Sequence, residues 1–402
     1  MQKQYDFIII GAGISGLSQL HYYHQQGFNC LLLEKQTDTG GCLHSHHFKQ
    51  CDNFWLEMGT HSCFNSYGQL LNILNDCSLT DKILAKKSTM FKMWSQQRQR
   101  SIVSQLHFFN LLRHIPRLFF SNKKNKSVRD YYQNIFGKNN YQQVFRPAFS
   151  AVACQNVDDI PADVLFKKKS RNKKIAKNFT FAAGQQTISN TLTEKYQQQI
   201  QTNTVVEKIE RHQQGYKITQ QYQEKSTVLH CKKLILATPV NVSRDYLKNL
   251  HPQLSQLLSK INHVKIETVA VCLPQQELNF KPLAGIIAQD DKEIFYSAVS
   301  RDPIEDPQYR GFTFHFKPLH LTLEQKLNKI AEVLAVDVKT LTQVAEKTNV
   351  LPSPQTHHTE LLSQIDKNLK NKNLGLCGNY FKGFSVEDCL LRSKIEYQRL
   401  SQ

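Results

Sequence analysis

The chain has 402 residues, 40% of them hydrophobic and 21% charged, a balance that excludes an intrinsically disordered protein. No window holds the roughly 20 apolar residues needed to cross a bilayer, which excludes a multi-span integral protein. The formal net charge of +18 favours an anionic partner such as a phosphate, a polycarboxylate or a lipid surface. With no recognisable nucleic-acid module or aromatic-interleaved basic stripe beside that charge, no nucleic acid is expected.

The first element is an apolar run, Tyr5-Asp-Phe-Ile-Ile-Ile10, of the kind found in strands buried on both faces. It leads directly into Gly11-Ala-Gly-Ile-Ser-Gly16. Gly11 permits a tight turn, Gly13 lets backbone approach a diphosphate, and Gly16 lets the next helix, opened by Ile14 and Ser15, pack on the strand. The spacing predicts a helix from about Ile14 to Gln26, ended by Gly27, then a strand over Asn29–Leu33 finishing at Glu34. Glu34 lies 18 residues beyond Gly16, near the spacing of about 20 at which a carboxylate takes hydrogen bonds from ribose hydroxyls. These residues together predict a dinucleotide site.

Past the acid, Lys35 to Gly41 runs into Gly40-Gly41, a second place where backbone must come close to the cofactor. A nicotinamide site does not need it, so the expected cofactor is FAD, bound non-covalently. Glu57-Met58-Gly59-Thr60 offers a third glycine approach. The intervening cluster of Cys42, His44, His46, His47, Cys51, His61 and Cys63 lacks zinc-type spacing. It reads as a polar turn and two short strands, and no metal is expected. Ten cysteines without a CxxC pair, and no secretory apolar region before the first strand, fit reduced thiols and a cytoplasmic location.

Residues 101–126 interleave apolar side chains with Arg113, His114, Arg117 and the Lys123–Lys126 group. Two readings stand: a segment lying in a lipid interface, or helices whose apolar faces pack into the core. A second basic cluster spans Lys167–Lys177. Thr204–Ile209 and Lys233–Pro239 then read as strands, and residues 264–273, 293–299 and 311–316 alternate as a substrate-binding sheet would. Near the C-terminus a short strand enters the Gly378-Asn379 turn, followed by a helix over Ser385–Leu400. Its N-terminus near Val386 points partial positive charge at the pyrimidine end of a flavin.

These motifs resemble the FAD-dependent amine oxidase and protoporphyrinogen oxidase superfamily, and within it the porphyrinogen oxidases. Besides the N-terminal fingerprint, the likeness is carried by Ser127-Val-Arg-Asp130, Phe136-Gly137, Phe145-Arg-Pro147 and Phe179–Thr187. Leu376–Cys389 is its most discriminating piece. The resemblance implies an α/β plus α+β fold in which a Rossmann-like FAD unit is assembled from residues 1–84, 179–240 and 366–402. Residues 85–178 would form a helical insertion that holds the protein peripherally on the cytoplasmic membrane, and 241–365 an antiparallel substrate sheet. It also implies that Val206 contacts adenine. The implied activity is dehydrogenation of a porphyrinogen-like substrate, an anionic tetrapyrrole, in haem biosynthesis by hydride transfer to the flavin. Because the cofactor carries that chemistry, no catalytic side chain is expected.

A porphyrinogen's propionates call for a cationic anchor, but the family's basic position falls on Met90. Lys92, Arg129 and Arg146 stand in as candidates, each alternatively a surface ion pair. Phe181, beside Phe179, is a candidate pocket wall, alternatively plain core. This departure keeps open an amine oxidase or desaturase acting on another small molecule, and a non-redox flavin isomerase or regulator.

Overall fold

The computed structural model describes residues 4–402 and, within them, every side chain but that of Ile115. Strand β1 (Gln4–Ile10), helix α1 (Ile14–Gln25) and strand β2 (Cys30–Leu33) form the opening unit. β1 pairs in parallel with β2 on one side and with the second half of the strand Lys225–Leu236 on the other. Ile200–Gln201 extends the sheet beyond β2, and Leu374–Leu376 extends it beyond Leu234–Leu236, both in parallel. The first half of Lys225–Leu236 instead closes an antiparallel meander with Gly215–Tyr222 and Thr204–His212. Both faces of the parallel layer are covered. Phe7 and Ile9 pack with Leu17 and Leu20 of α1, Ile188 and Leu192, and Leu390 and Leu400 of the C-terminal helix. Ile8 and Ile10 pack with Tyr216 and Ile218 of the meander and with Leu247, Leu258 and Ile365. This two-sided burial is why Phe7–Ile10 is apolar without interruption.

A second sheet runs in the order Gln343–Ser353, Asn262–Pro274, Tyr309–Phe316, Phe295–Ser300, Gly285–Ala288, Phe91–Ser95, Arg98–Ser101. Every pair is antiparallel except Gly285–Ala288 with Phe91–Ser95. The helix Leu323–Leu334 covers one face through Ile330 and Leu334. The hairpin Ser45–Phe48 and Phe54–Glu57 covers the other, where Phe54, Leu56 and Met58 meet Ala270, Cys272 and Ala345. A β-carbon on Gly311 would lie within 2.8 Å of Phe54 and Leu56, so only glycine admits this contact.

The segment boundaries expected from sequence shift in two places. Phe91–Ser95 and Arg98–Ser101, assigned to the helical insertion, complete the edge of the second sheet. The helices Val240–Leu250 and Pro252–Ser259, assigned to the substrate sheet, bury Leu247, Leu254 and Leu258 on the nucleotide unit. In both places tertiary pairing of an apolar face overrides sequence proximity.

The helical unit packs Tyr131, Tyr132 and Ile135 of the helix Val128–Phe136 against Tyr141, Val157, Ile160 and Leu165. Asp158 is its polar centre. Its carboxylate accepts from Arg129 Nη2 at 2.9 Å and from Tyr141 Oη at 2.7 Å, and lies 3.5 Å from Arg146 Nε. In the helix Phe108–His114 and the turn Ile115–Phe120, the rings of Phe109, Phe119 and Phe120 are 92%, 80% and 92% exposed, whereas Ile102 and Leu106 upstream pack against Met93, Val144 and Ile287. Core packing thus describes the start of residues 101–126 and not these three rings.

Candidate active site

The glycine turn after β1 separates three steric roles. A β-carbon on Gly11, whose φ is +102°, would lie 2.6 Å from the Ala237 carbonyl oxygen, and one on Gly16 would collide with the carbonyl of Gly11. At Gly13 a β-carbon would meet nothing within 4 Å. Gly11 and Gly16 thus serve the turn and the packing of α1, and Gly13 faces open space. Around that space the amides of Gly13, Ser15 and Gly16 have no hydrogen-bond acceptor among the described residues, nor do those of Gly41 and Cys42 opposite. Gly40 donates its amide to Ala12 O at 2.8 Å, and a β-carbon on Gly41 would come within 3.3 Å of Gly13 Cα. Five unpartnered amides beside the open space at Gly13, at a helix N-terminus, form an anion cradle of the polarity a diphosphate needs.

Glu34 borders the cradle. Its Oε2 accepts from the Ala12 amide at 2.7 Å and its Oε1 from the Gln36 amide at 2.9 Å. Both oxygens keep lone pairs for hydroxyl donors, and Lys35 beside it is exposed. Val206 lies in the meander strand next to a register shift, and its carbonyl accepts from Tyr246 Oη at 3.0 Å.

The other end of the site is built by distant segments. Met58 and Thr60 donate their amides to His44 O and Cys42 O, both at 2.8 Å, laying Gly59 directly on the Gly40-Gly41 loop. Ile14, Leu43, Cys63, Cys377, Val386 and Cys389 belong to one apolar cluster, so the C-terminal turn at Gly378-Asn379 and the helix Val386–Leu400 converge on the same place. Ser385 and Asp388 close a capping box at that helix, while the amides of Val386 and Glu387 keep no acceptor among the described residues. The acidic Glu387 and Asp388 offset part of the helix dipole expected from sequence. Glu387 is engaged elsewhere, accepting from the amides of Gln69 and Leu70 at 3.0 and 3.1 Å.

Where the hairpin meets the second sheet lies a polar cluster that no sequence motif announced. His61 Nε2 and His315 Nε2 are 2.8 Å apart, and His315 Nδ1 is 3.4 Å from Thr268 Oγ1. A ring-to-ring bond at that distance needs one donor and one acceptor, so at least one ring is neutral. Burial agrees, holding His315 down to about 4 and His61 well below its usual value. Lys86 donates to His61 O and Ser62 Oγ, and Arg301 stacks over Phe54 and Trp55. Glu57 is 4% exposed, accepts from the Gln185 amide at 2.7 Å and Ser45 Oγ at 2.9 Å, and has its pKa pushed up to about 8 by desolvation.

Glu57 yields a prediction. The unfolded chain releases this proton near 4.5 and the folded chain near 8, so folded stability falls as pH rises through that window and levels off above it. The loss approaches roughly 5 kcal/mol. Urea unfolding of Glu57→Gln at pH 5, 7 and 9 is expected to lack that decline, so the variant gains on the wild type with rising pH. A constant difference between the two across the series would refute the assignment.

The family model described as flavin containing amine oxidoreductase matches residues 12–312. The chain belongs to that family. FAD is accordingly the cofactor, and the open space at Gly13, its free amides and the Glu34 carboxylate fit it. A 15-cis-phytoene desaturase from Narcissus pseudonarcissus is 29% identical over 89 residues, covering 22% of this chain and 15% of its own length. That from Arabidopsis thaliana is 32% identical over 88 residues, again 22% of this chain and 15% of the relative. The similarity thus spans about a seventh of these relatives. Among solved structures, a candidate protoporphyrinogen oxidase from Exiguobacterium sp. 255-15 superposes with a TM-score of 0.78 at 15% identity, over 100% of both chains. A fatty acid isomerase from P. acnes that produces CLA reaches 0.76 at 16% identity, over 98% of each chain. At such identities the likeness establishes the shared fold.

Within this flavin-containing fold the substrate candidates fare differently from the cradle. Arg129 and Arg146 are both committed to Asp158, and Arg146 also pairs with Asp291, so these guanidiniums stabilise the helical unit rather than await a carboxylate. Phe181 is 1% exposed inside the apolar cluster of the nucleotide unit, which is the plain-core alternative. Lys92 sits on a strand of the second sheet opposite Ser101, and Met90 is exposed just before it. Lys86 and Arg301 line one small cavity together with Trp55, Glu57 and His61. Their signal in sequence was slight, since isolated basic residues carry no spacing.

Proposed function

We propose that this protein is an FAD-dependent oxidoreductase that dehydrogenates an apolar CH–CH or CH–NH donor of the porphyrinogen type, met at a membrane surface. When bound, FAD accepts a hydride equivalent from the donor carbon. The chain supplies position and shelter. Gly11, Gly13, Ile14, Ser15, Gly16, Gly40 and Gly41 surround the diphosphate, Glu34 and Lys35 the ribose, and Val206 the adenine. Met58, Gly59, Thr60, Gly378, Asn379 and Val386 border the flavin end, with the second sheet and its hairpin excluding water above it. The reading rests on the cradle of free amides at Gly13, built from both ends of the chain and roofed by a separate sheet. The porphyrinogen class draws support from the fold neighbour that matches along the whole chain. The membrane surface draws support from the exposed Phe109, Phe119 and Phe120, flanked by Arg113, Arg117, Lys124 and Lys126. No helix among the described residues is long and apolar enough to cross a membrane, so the contact proposed is peripheral.

A second reading, desaturation of an apolar polyene, is favoured by the N-terminal likeness to phytoene desaturases. The commitment of Arg129 and Arg146 to Asp158 also favours it, since it removes two expected propionate anchors. Anaerobic mixing of the yellow protein with protoporphyrinogen, coproporphyrinogen, a polyene and a primary amine separates the two. Bleaching of the flavin by a porphyrinogen within turnover time is the expected result. Bleaching by the polyene alone transfers the assignment to the second reading.

A further inference from the structure

The cradle at Gly13 is lined by amides, whereas a diphosphate brings two negative charges. A cation reaches the Gly41 loop from the second sheet. Lys347 lies on the edge strand Gln343–Ser353, in register opposite Thr268. Its Nζ donates to Gly41 O at 2.8 Å and to His44 Nδ1 at 2.8 Å. An ammonium has three N–H donors, so one is left over. Asn349, two residues on and on the same face of the strand, donates to Met58 O at 2.8 Å. One strand is therefore fastened to both loops that border the cradle, which fixes where Lys347 stands. Gly41 approaches Gly13 across the open space, and Lys347 forms no ion pair with a carboxylate among the described residues. Burial lowers its pKa, and His44 is held down to about 4 by burial first and then by Lys347 itself, so His44 stays an acceptor. The result is a half-buried cation with no carboxylate partner among the described residues, held beside the anion cradle.

We propose that Lys347 is the counter-cation of the cofactor diphosphate, contributed by the second sheet rather than by the nucleotide unit. Cofactor affinity then depends on the docking of that sheet: undocking it withdraws the charge together with the roof. This assignment rests on FAD as the cofactor and is independent of which substrate is oxidised.

The test separates diphosphate from flavin. In full-length protein stripped of FAD, Kd is measured for FAD, for ADP, which carries the diphosphate without the flavin, and for riboflavin, which carries the flavin without phosphate. Lys347→Met is expected to weaken FAD and ADP by roughly 10- to 100-fold, the range of a charge-assisted hydrogen bond. Riboflavin affinity is expected to stay unchanged. Melting of the cofactor-free proteins checks folding. If the Met variant does not fold, Lys347→Gln, which keeps a donor for Gly41 O and lacks the charge, is expected to give the same pattern. Unchanged ADP affinity, or an equal loss for riboflavin, overturns the proposal.

Discussion

Gly13→Asp is expected to purify colourless. The new side chain enters the one direction around the glycine turn where nothing lies within 4 Å, and it carries a carboxylate into five amides that have no other acceptor. It would take those amides for itself and repel the diphosphate. Loss of several hydrogen bonds and a like-charge contact together exceed about 4 kcal/mol, roughly a thousandfold in affinity. The ratio of flavin absorbance to protein absorbance reads the outcome directly. Because the same direction is empty in the cofactor-free protein and the carboxylate caps α1, the stripped variant should melt no lower than stripped wild type. Gly16→Ala provides the contrast. Its methyl collides with the Gly11 carbonyl, so it should fail by misfolding rather than by clean loss of colour. A yellow Gly13→Asp protein would refute the placement of the cofactor.

The second large effect is expected at the exposed aromatic face. Replacing both Phe119 and Phe120 by serine removes two nearly fully exposed phenyl rings. Burying each ring in a bilayer interface is worth up to roughly 2 kcal/mol, so sedimentation with anionic phosphatidylserine vesicles should fall by about 100-fold or more. Lys124→Gln with Lys126→Gln should cost less, at roughly 1 kcal/mol per charge, and its effect should fade at high salt. Lys123 is a poor choice for this test. It donates to Leu165 O and sits over Tyr131 and Tyr132, so its loss would disturb the helical unit itself. Wild-type protein that remains in the supernatant beside anionic vesicles would sink the peripheral-contact reading.

The parts of the molecule legible in sequence are those set by local chain physics. The apolar run, the three glycines and the acid at the end of β2 each answer a constraint within a few residues, and the observed helix Ile14–Gln25 differs from expectation by a single residue. The hairpin between Cys42 and Cys63 was legible for the same reason. What stayed hidden depends on contacts between distant segments. His61 and His315 are 254 residues apart, and Lys347 reaches Gly41 over 306, so neither pairing leaves a spacing to recognise. Arg129 and Arg146 stayed open between two readings because a basic residue looks the same in sequence whether it is available to an anion or already held by Asp158. Phe181 stayed open because an aromatic residue in a glycine-containing run suits a pocket wall and a core equally well.

The nucleotide unit also binds the chain's history. Gln19, on the buried face of α1, donates to Ser393 O at 2.8 Å across 374 residues, and Ser393 returns a bond to Ser15 O within the glycine turn. During synthesis at about 5–20 residues per second, that face of α1 waits roughly 20–75 s for its cover. The amides that hold the cofactor open onto a helix whose other side is still wet. The face of α1 turned towards the C-terminal helix is therefore covered only once Ser393 has been made.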